Sequence, residues 1–104
     1  MTTFDDRERA FESKFAHDAE MLFRAGARRN RLLAEWAAGV LGKTGPDAQA
    51  YAREVARSDL QEAGDEDVFR KIHADLAGRV DEATIRHRMT SLLAEAKATL
   101  AAES

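Results

Sequence analysis

Cysteine is absent from this chain, and proline occurs only at Pro46. Without cysteine there is no disulfide framework, no thiol nucleophile and no thiolate zinc site. No run approaches the roughly 18 apolar residues that a membrane span needs. The N-terminus lacks a basic-then-apolar signal layout, because Asp5 and Asp6 come almost at once. A cytosolic protein, or a soluble subunit attached to something larger, is therefore expected. No stretch of β-branched residues alternates at period two, which excludes strands, and there is no internal repeat or low-complexity tract. Basic residues are slightly outnumbered, 16 against 19 acidic, for a net charge of -3. That argues against nucleic-acid binding, which needs a positive footprint. What is there is rich in Ala, Leu, Glu and Arg, the composition of a helical chain. At 104 residues, 44% of them apolar and many of those Ala, it has the size of one domain with a thin core.

The stretch TFDDRERAFESKFAHDAEMLF, Thr3 to Phe23, organises the reading. Phe4, Phe11, Phe15 and Leu22 are spaced by four residues or one heptad, so a helix would carry them on one face, and nearly everything between them is charged. Four of the five Phe lie here: Phe4, Phe11, Phe15 and Phe23. Thr3 as N-cap with Asp6 at N3 makes a capping box, and acids in the first turn suit the helix dipole. Large apolar groups committed to a terminus, where chains usually fray, predict docking onto the rest of the chain or onto a partner. Two readings stand at this point: the first helix of the fold, or a segment loose when free and helical when bound.

Beyond it, four helices are expected at about 19–41, 47–63, 66–78 and 82–101. The first has Leu22, Ala25 or Gly26, Arg29, Leu33, Trp36 and Val40 in phase and stops at Gly42, before the break Lys43-Thr44-Gly45-Pro46. The second opens on Pro46 and Asp47 and turns Ala48, Tyr51, Ala52, Val55, Ala56 and Leu60 inward. The third carries Val68, Phe69, Ile72 and Leu76 from an N-cap at Asp65. The fourth carries Ile85, Met89, Leu92, Leu93, Ala96 and Leu100, with Asp81 as cap. Short connections favour antiparallel neighbours. The expected core is Trp36, Leu33, Tyr51, Val55, Phe69, Ile72, Met89 and Leu93. The fold class is thus all-α, a small four-helix bundle (19–104) preceded by a flexible, conditionally helical N-terminal arm (1–18).

Little catalytic chemistry is on offer. His17, His73 and His87 show no metal-ligand spacing. Ser13, Ser58 and Ser91 sit in no nucleophile elbow. The acid run Asp59, Glu62, Asp65, Glu66, Asp67 does not fit an EF-hand loop. Gly39-Val40-Leu41-Gly42-Lys43-Thr44 ends like a phosphate loop, but it follows a helix and its first Gly is misplaced. Arg24, Arg28, Arg29 and Arg31 form a basic cluster, read as a solvated face or as a contact for phosphate or an acidic partner. Arg28, Arg31 and Lys43 are the candidate nucleotide or anion contacts of this reading. No catalytic residue, metal or cofactor is expected, and the chain reads as a binding or regulatory protein.

The strings MTTFDDRERAFESKFAHDAEMLFRAGARRNRLLAEWAAGVLGKTG and YAREVARSDLQEAGDEDVFRKIHADL carry a further resemblance over nearly the whole chain. It resembles the alphaproteobacterial F1FO-ATP synthase inhibitor, the zeta subunit family. The resemblance implies a small four-helix protein that binds the F1 sector and blocks ATP hydrolysis while leaving synthesis largely free. It implies an N-terminal segment that is disordered when free and enters, as a helix, the interface between alpha and beta subunits near gamma. Phe4, Phe11 and Phe15 would then be apolar anchors, with Asp5, Arg7, Glu8, Arg9 and Lys14 as charged contacts. The implied location is cytoplasmic, peripheral to the inner membrane through ATP synthase, without nucleic acid or direct membrane insertion. The alternatives are a small nucleotide- or anion-binding regulatory protein and a non-catalytic structural adaptor.

Overall fold

Helix-forming residues run unbroken from Thr3 to Ala25, with neither Gly nor Pro among them. In the computed structural model, which describes residues 3–59 and 65–103 and side chains from His17 onward, this run is part of one long helix. The elements are α1 (Thr3–Val40), α2 (Gly45–Ser58), α3 (Glu66–Asp75) and α4 (Glu82–Glu103). No strand occurs among the described residues. The all-α, four-helix architecture is the one the sequence leads to. α1 carries the expected arm and the first body helix as one continuous element, and no backbone break falls between residues 18 and 19.

Each break has a local cause. α1 ends in a Schellman turn: the Lys43 N–H bonds the Ala38 carbonyl at 2.8 Å and the Gly42 N–H bonds that of Gly39 at 3.1 Å. The turn needs a left-handed residue, and Gly42 supplies it with φ of 75° at no steric cost. Arg79 adds a hydrogen bond to the Val40 carbonyl, 3.2 Å, occupying another acceptor that the helix end leaves open. Pro46 sits in the first turn of α2 with Asp47. α4 starts on its expected cap, the Asp81 carboxylate accepting from the Thr84 N–H at 2.8 Å; Thr84, through its side chain first and its N–H second, holds the carboxyl below its ordinary range.

Two element ends differ from expectation. α2 stops at Ser58, whose hydroxyl donates to the Val55 carbonyl, a local bond that competes with helix continuation. The expected inward Leu60 and the end of that helix at 63 lie outside the described residues. α3 stops at Asp75, and the chain turns through Gly78, φ 81°, with Arg79 N–H bonded to the Leu76 carbonyl.

The core has one main cluster. α1 contributes Leu33, Ala34, Ala37 and Ala38; α2 Tyr51 and Val55; α3 Val68, Phe69 and Ile72; α4 Ile85, Met89 and Leu92, with Leu76 between α3 and α4. A smaller cluster of Ala25, Ala96 and Leu100, flanked by Met21 and Leu93, joins α1 to α4 alone. Three expectations are corrected. Trp36 is half-buried at the cluster edge, its ring under the Arg88 guanidinium at 5.0 Å, as suits an amphipathic aromatic. Leu93 belongs to the small cluster. Ala56 is exposed, because it lies about 100° around the helix from Val55.

α1 and α4 run antiparallel, since Trp36 meets Arg88 near the start of α4 and Arg28 meets Glu103 at its end. Their lengths do not match. At about 1.5 Å per residue, the 38 residues of α1 span about 57 Å and the 22 of α4 about 33 Å. The excess lies at the N-terminal end of α1.

Candidate functional site

The site is the place where α1 leaves the body. Going backwards along the helix, Ala25 is buried and Met21 half-buried, whereas His17 to Glu20 are all exposed. Leu22 and Phe23, between them, are exposed as well. Phe4, Asp5, Arg7, Glu8, Arg9, Phe11, Lys14 and Phe15 all fall on the helical backbone of α1. Their side chains, and those of the Thr3–Asp6 capping box, lie outside the described residues. What the backbone gives is register: with about 100° per residue, Phe4, Phe11 and Phe15 share one azimuth to within about 40°.

Ion pairs fix the root of this helix to the body. Arg28 donates to both Glu103 oxygens, at 2.8 and 3.1 Å, and to the Thr99 hydroxyl at 3.0 Å. The hydrogen bond to Arg28 holds the Glu103 carboxyl below its ordinary range and raises the Arg28 guanidinium. Arg24 pairs with Glu20 on the same helix. Arg29, expected on a basic surface, is instead buried, its side chain 3% exposed. It donates to Asn30 Oδ1 and, from the other end of the guanidinium, to Asp65 Oδ1, both at 2.7 Å. A buried guanidinium needs such a partner. The basic cluster is therefore largely consumed by the protein's own acids.

The same holds for Asp65, Glu66 and Asp67 of the acid run, while Glu62 lies outside the described residues. Asp65 occupies the N-cap position of α3 but makes no side-chain cap bond; its carboxylate is turned to Arg29. Glu66 holds Arg86 through two bonds, at 2.8 and 3.2 Å, and the Arg86 guanidinium lies 3.6 Å from the Phe69 ring. Asp67 is buried and pairs with Arg70. No group of three or more potential metal ligands occurs among the described residues. On the far side of the body Tyr51 donates to Asp75, 2.9 Å, and Lys71 bridges Asp75 and Glu54. Burial first, and that hydrogen bond second, push the Tyr51 hydroxyl well above its usual range.

The Arg29–Asp65 bond yields a prediction. Contact with Arg29, a hydrogen bond above all, lowers the Asp65 pKa from an ordinary 3.8. A carboxyl depressed in the folded state adds stability above its unfolded pKa and loses it as pH falls through the folded one. Asp65→Asn is expected to cost about 1–2 kcal/mol at pH 7, less than a fully buried pair because Asp65 is partly open to water. In urea melts the gap between parent and variant should begin to close near pH 3.8 and vanish at lower pH. A gap that persists unchanged to pH 2 would mean that the bond does not carry the difference.

Arg28, Arg31 and Lys43 are not brought together. Arg28 and Arg31 flank the end of α4, in a shallow groove with Phe23 and Leu100. Lys43 lies beyond the other end of α1, its ammonium 6.0 Å from the Tyr51 ring; twelve helical residues would separate it from Arg31 by about 18 Å. Gly42-Lys43-Thr44, which mimics a phosphate loop in sequence, is the Schellman turn that stops α1.

These features define a small all-α protein that presents one helix beyond its body. The chain belongs to the ATPase inhibitor subunit zeta family, whose model matches residues 1–99. It is similar to a protein solved by NMR in solution, with 51% sequence identity and a TM-score of 0.72 over 81% of this chain and 99% of that one. No curated protein matches it. Family membership makes an inhibitory, regulatory part the coarse reading of its role, and no described helix is long and apolar enough to cross a membrane.

Proposed function

We propose that this chain inhibits ATP hydrolysis by the F1 sector of ATP synthase by inserting residues 1–18 as a helix at a catalytic alpha/beta interface beside gamma. The observation that supports the reading most is the overhang: α1 outruns α4, so a charged helix with a row of Phe on one face extends beyond the core that could cover it. In this reading Phe4, Phe11 and Phe15 enter the interface, and Asp5, Arg7, Glu8, Arg9 and Lys14 meet charged and polar groups at its rim. The helix acts as a wedge that opposes one sense of rotation, which needs no covalent step and no cofactor. The body, residues 19–104, stays outside and keeps the arm at high effective concentration. The protein would then sit on the cytoplasmic side of the inner membrane, held there through ATP synthase.

Deleting residues 1–16 tests the division of labour. Among the described residues both core clusters begin at Met21 or later, so the truncated protein should keep its cooperative thermal transition. It should no longer inhibit purified F1 in a steady-state hydrolysis titration. A truncated protein that still inhibits refutes the wedge; one that loses its cooperative melt shows the arm to be part of the core.

A further inference from the structure

We propose that Leu22 and Phe23 form the inner end of the surface by which α1 docks on the F1 sector. Contact with the partner then extends past residue 18 to the point where α4 begins to cover the helix, and the body is held at a fixed rotation to the arm. This rests on the reading of the arm as the inhibitory element.

Leu22 is 58% exposed and Phe23 76%, the exposed large apolar side chains among the described residues. Singly, such residues are ordinary. These two are adjacent, and they sit where the body's cover gives out. On one side α4 packs against Met21 and Ala25 through Ala96 and Leu100. On the other side, the start of α3 reaches only as far as Arg29, through Asp65.

Phase gives the occupant. α1 is continuous, so its register carries through from arm to body. Leu22 lies one heptad after Phe15 and within about 40° of the azimuth shared by Phe4, Phe11 and Phe15. Leu33, three turns further on at the same azimuth, is fully buried. The apolar phase therefore recurs along the helix, interrupted by Gly26 and Arg29, covered by the body at Leu33 and open at Leu22. Phe23 lies about 100° around the helix from Leu22, so it widens the exposed apolar surface onto the neighbouring face rather than extending the Phe11–Phe15 row. The surface that receives Phe11 and Phe15 would thus meet Leu22 next, with Phe23 at the edge of the same contact. A shallow groove beside it, lined by Asp18, Met21, Leu22, Lys97 and Leu100, carries one charge of each sign at its edge, the polar rim usual for an interface.

The test titrates F1-catalysed ATP hydrolysis with the full chain and three variants. The first is Leu22→Ser with Phe23→Ser, which removes exposed groups and should leave the melting curve unchanged. The second inserts one alanine between Asp18 and Ala19, keeping every arm residue but turning the arm by about 100° relative to the body. The third, Phe11→Ala with Phe15→Ala, reports on the arm itself. Both of the first two should inhibit at least about tenfold more weakly than the parent, as expected for loss or misalignment of apolar anchors. If they match the parent while the double Phe variant fails, the inference is overturned and the arm reading stands. If the double Phe variant also matches the parent, the arm reading falls and takes the inference with it. If the Leu22 and Phe23 substitutions merely convert a dimer to a monomer in sedimentation, with inhibition unchanged, the face serves self-association and the inference is overturned.

Discussion

Phe11→Ala combined with Phe15→Ala is expected to weaken inhibition of F1 at least about a hundredfold while the protein stays folded. Aromatic anchors at the centre of an interface commonly cost about 2 kcal/mol or more each on truncation, roughly thirtyfold in affinity, and neighbouring anchors do not add fully. The two residues lie four apart on the backbone of α1, so they share a face and enter one surface together. Among the described residues the core begins at Met21, so the thermal transition is expected not to move. Arg7→Glu should do less, because a rim charge is screened by solvent and salt. Raising the ionic strength should therefore narrow the gap between Arg7→Glu and the parent but leave the double Phe variant as weak as before. A double variant that inhibits like the parent would move the function from the arm to the helical body.

The largest stability effect is expected at Leu33. Its side chain is fully buried and belongs to the cluster that all four helices share. Leu33→Ala removes buried methyl groups and leaves a cavity, at about 2–5 kcal/mol. For a domain of this size each kcal/mol moves Tm by about 4–8 °C, so a drop of at least about 10 °C is expected. Trp36→Ala should fall short of that loss, since the side chain is only partly buried at the cluster edge and what it forfeits is edge packing and the Arg88 contact. Urea melts of the two variants would rank them. If Trp36→Ala proved the more damaging, the centre of the core would lie nearer α4 and the Arg88 side of the bundle than the burial pattern places it.

The fold was legible because its signals are local. Gly42, Pro46, Gly78 and Asp81 punctuate the chain where the helices change, and apolar spacing names Leu33, Tyr51, Val55, Ile72 and Met89 as core. What the sequence concealed depends on distant partners. Arg29 stands in a basic run and has the phase of the core stripe; only Asp65, thirty-six positions away, explains how it can be buried. Arg28 looks available to an anion until Glu103, at the other end of the chain, is seen on it. Asp65 has the right identity for an N-cap, but the pull of a buried guanidinium outweighs the cap bond. The arm's face was visible as a spacing of Phe residues. That the helix passes into the body without interruption was not, because a charged segment of this kind reads equally well as a separate piece.

The clasp between Arg28 and Glu103 also sets where α4 finishes. The last turn of α4 lies beside the root of the presented helix, so a group attached in that turn would lie within reach of Phe23 and Arg24 rather than on the remote side of the bundle. A purification tag placed there would crowd the approach of a partner, and its removal could be mistaken for activation. The same proximity makes Ala102, exposed in that turn and replaceable by cysteine, a useful attachment point for a fluorophore, since a partner arriving at the helix root would change its surroundings directly.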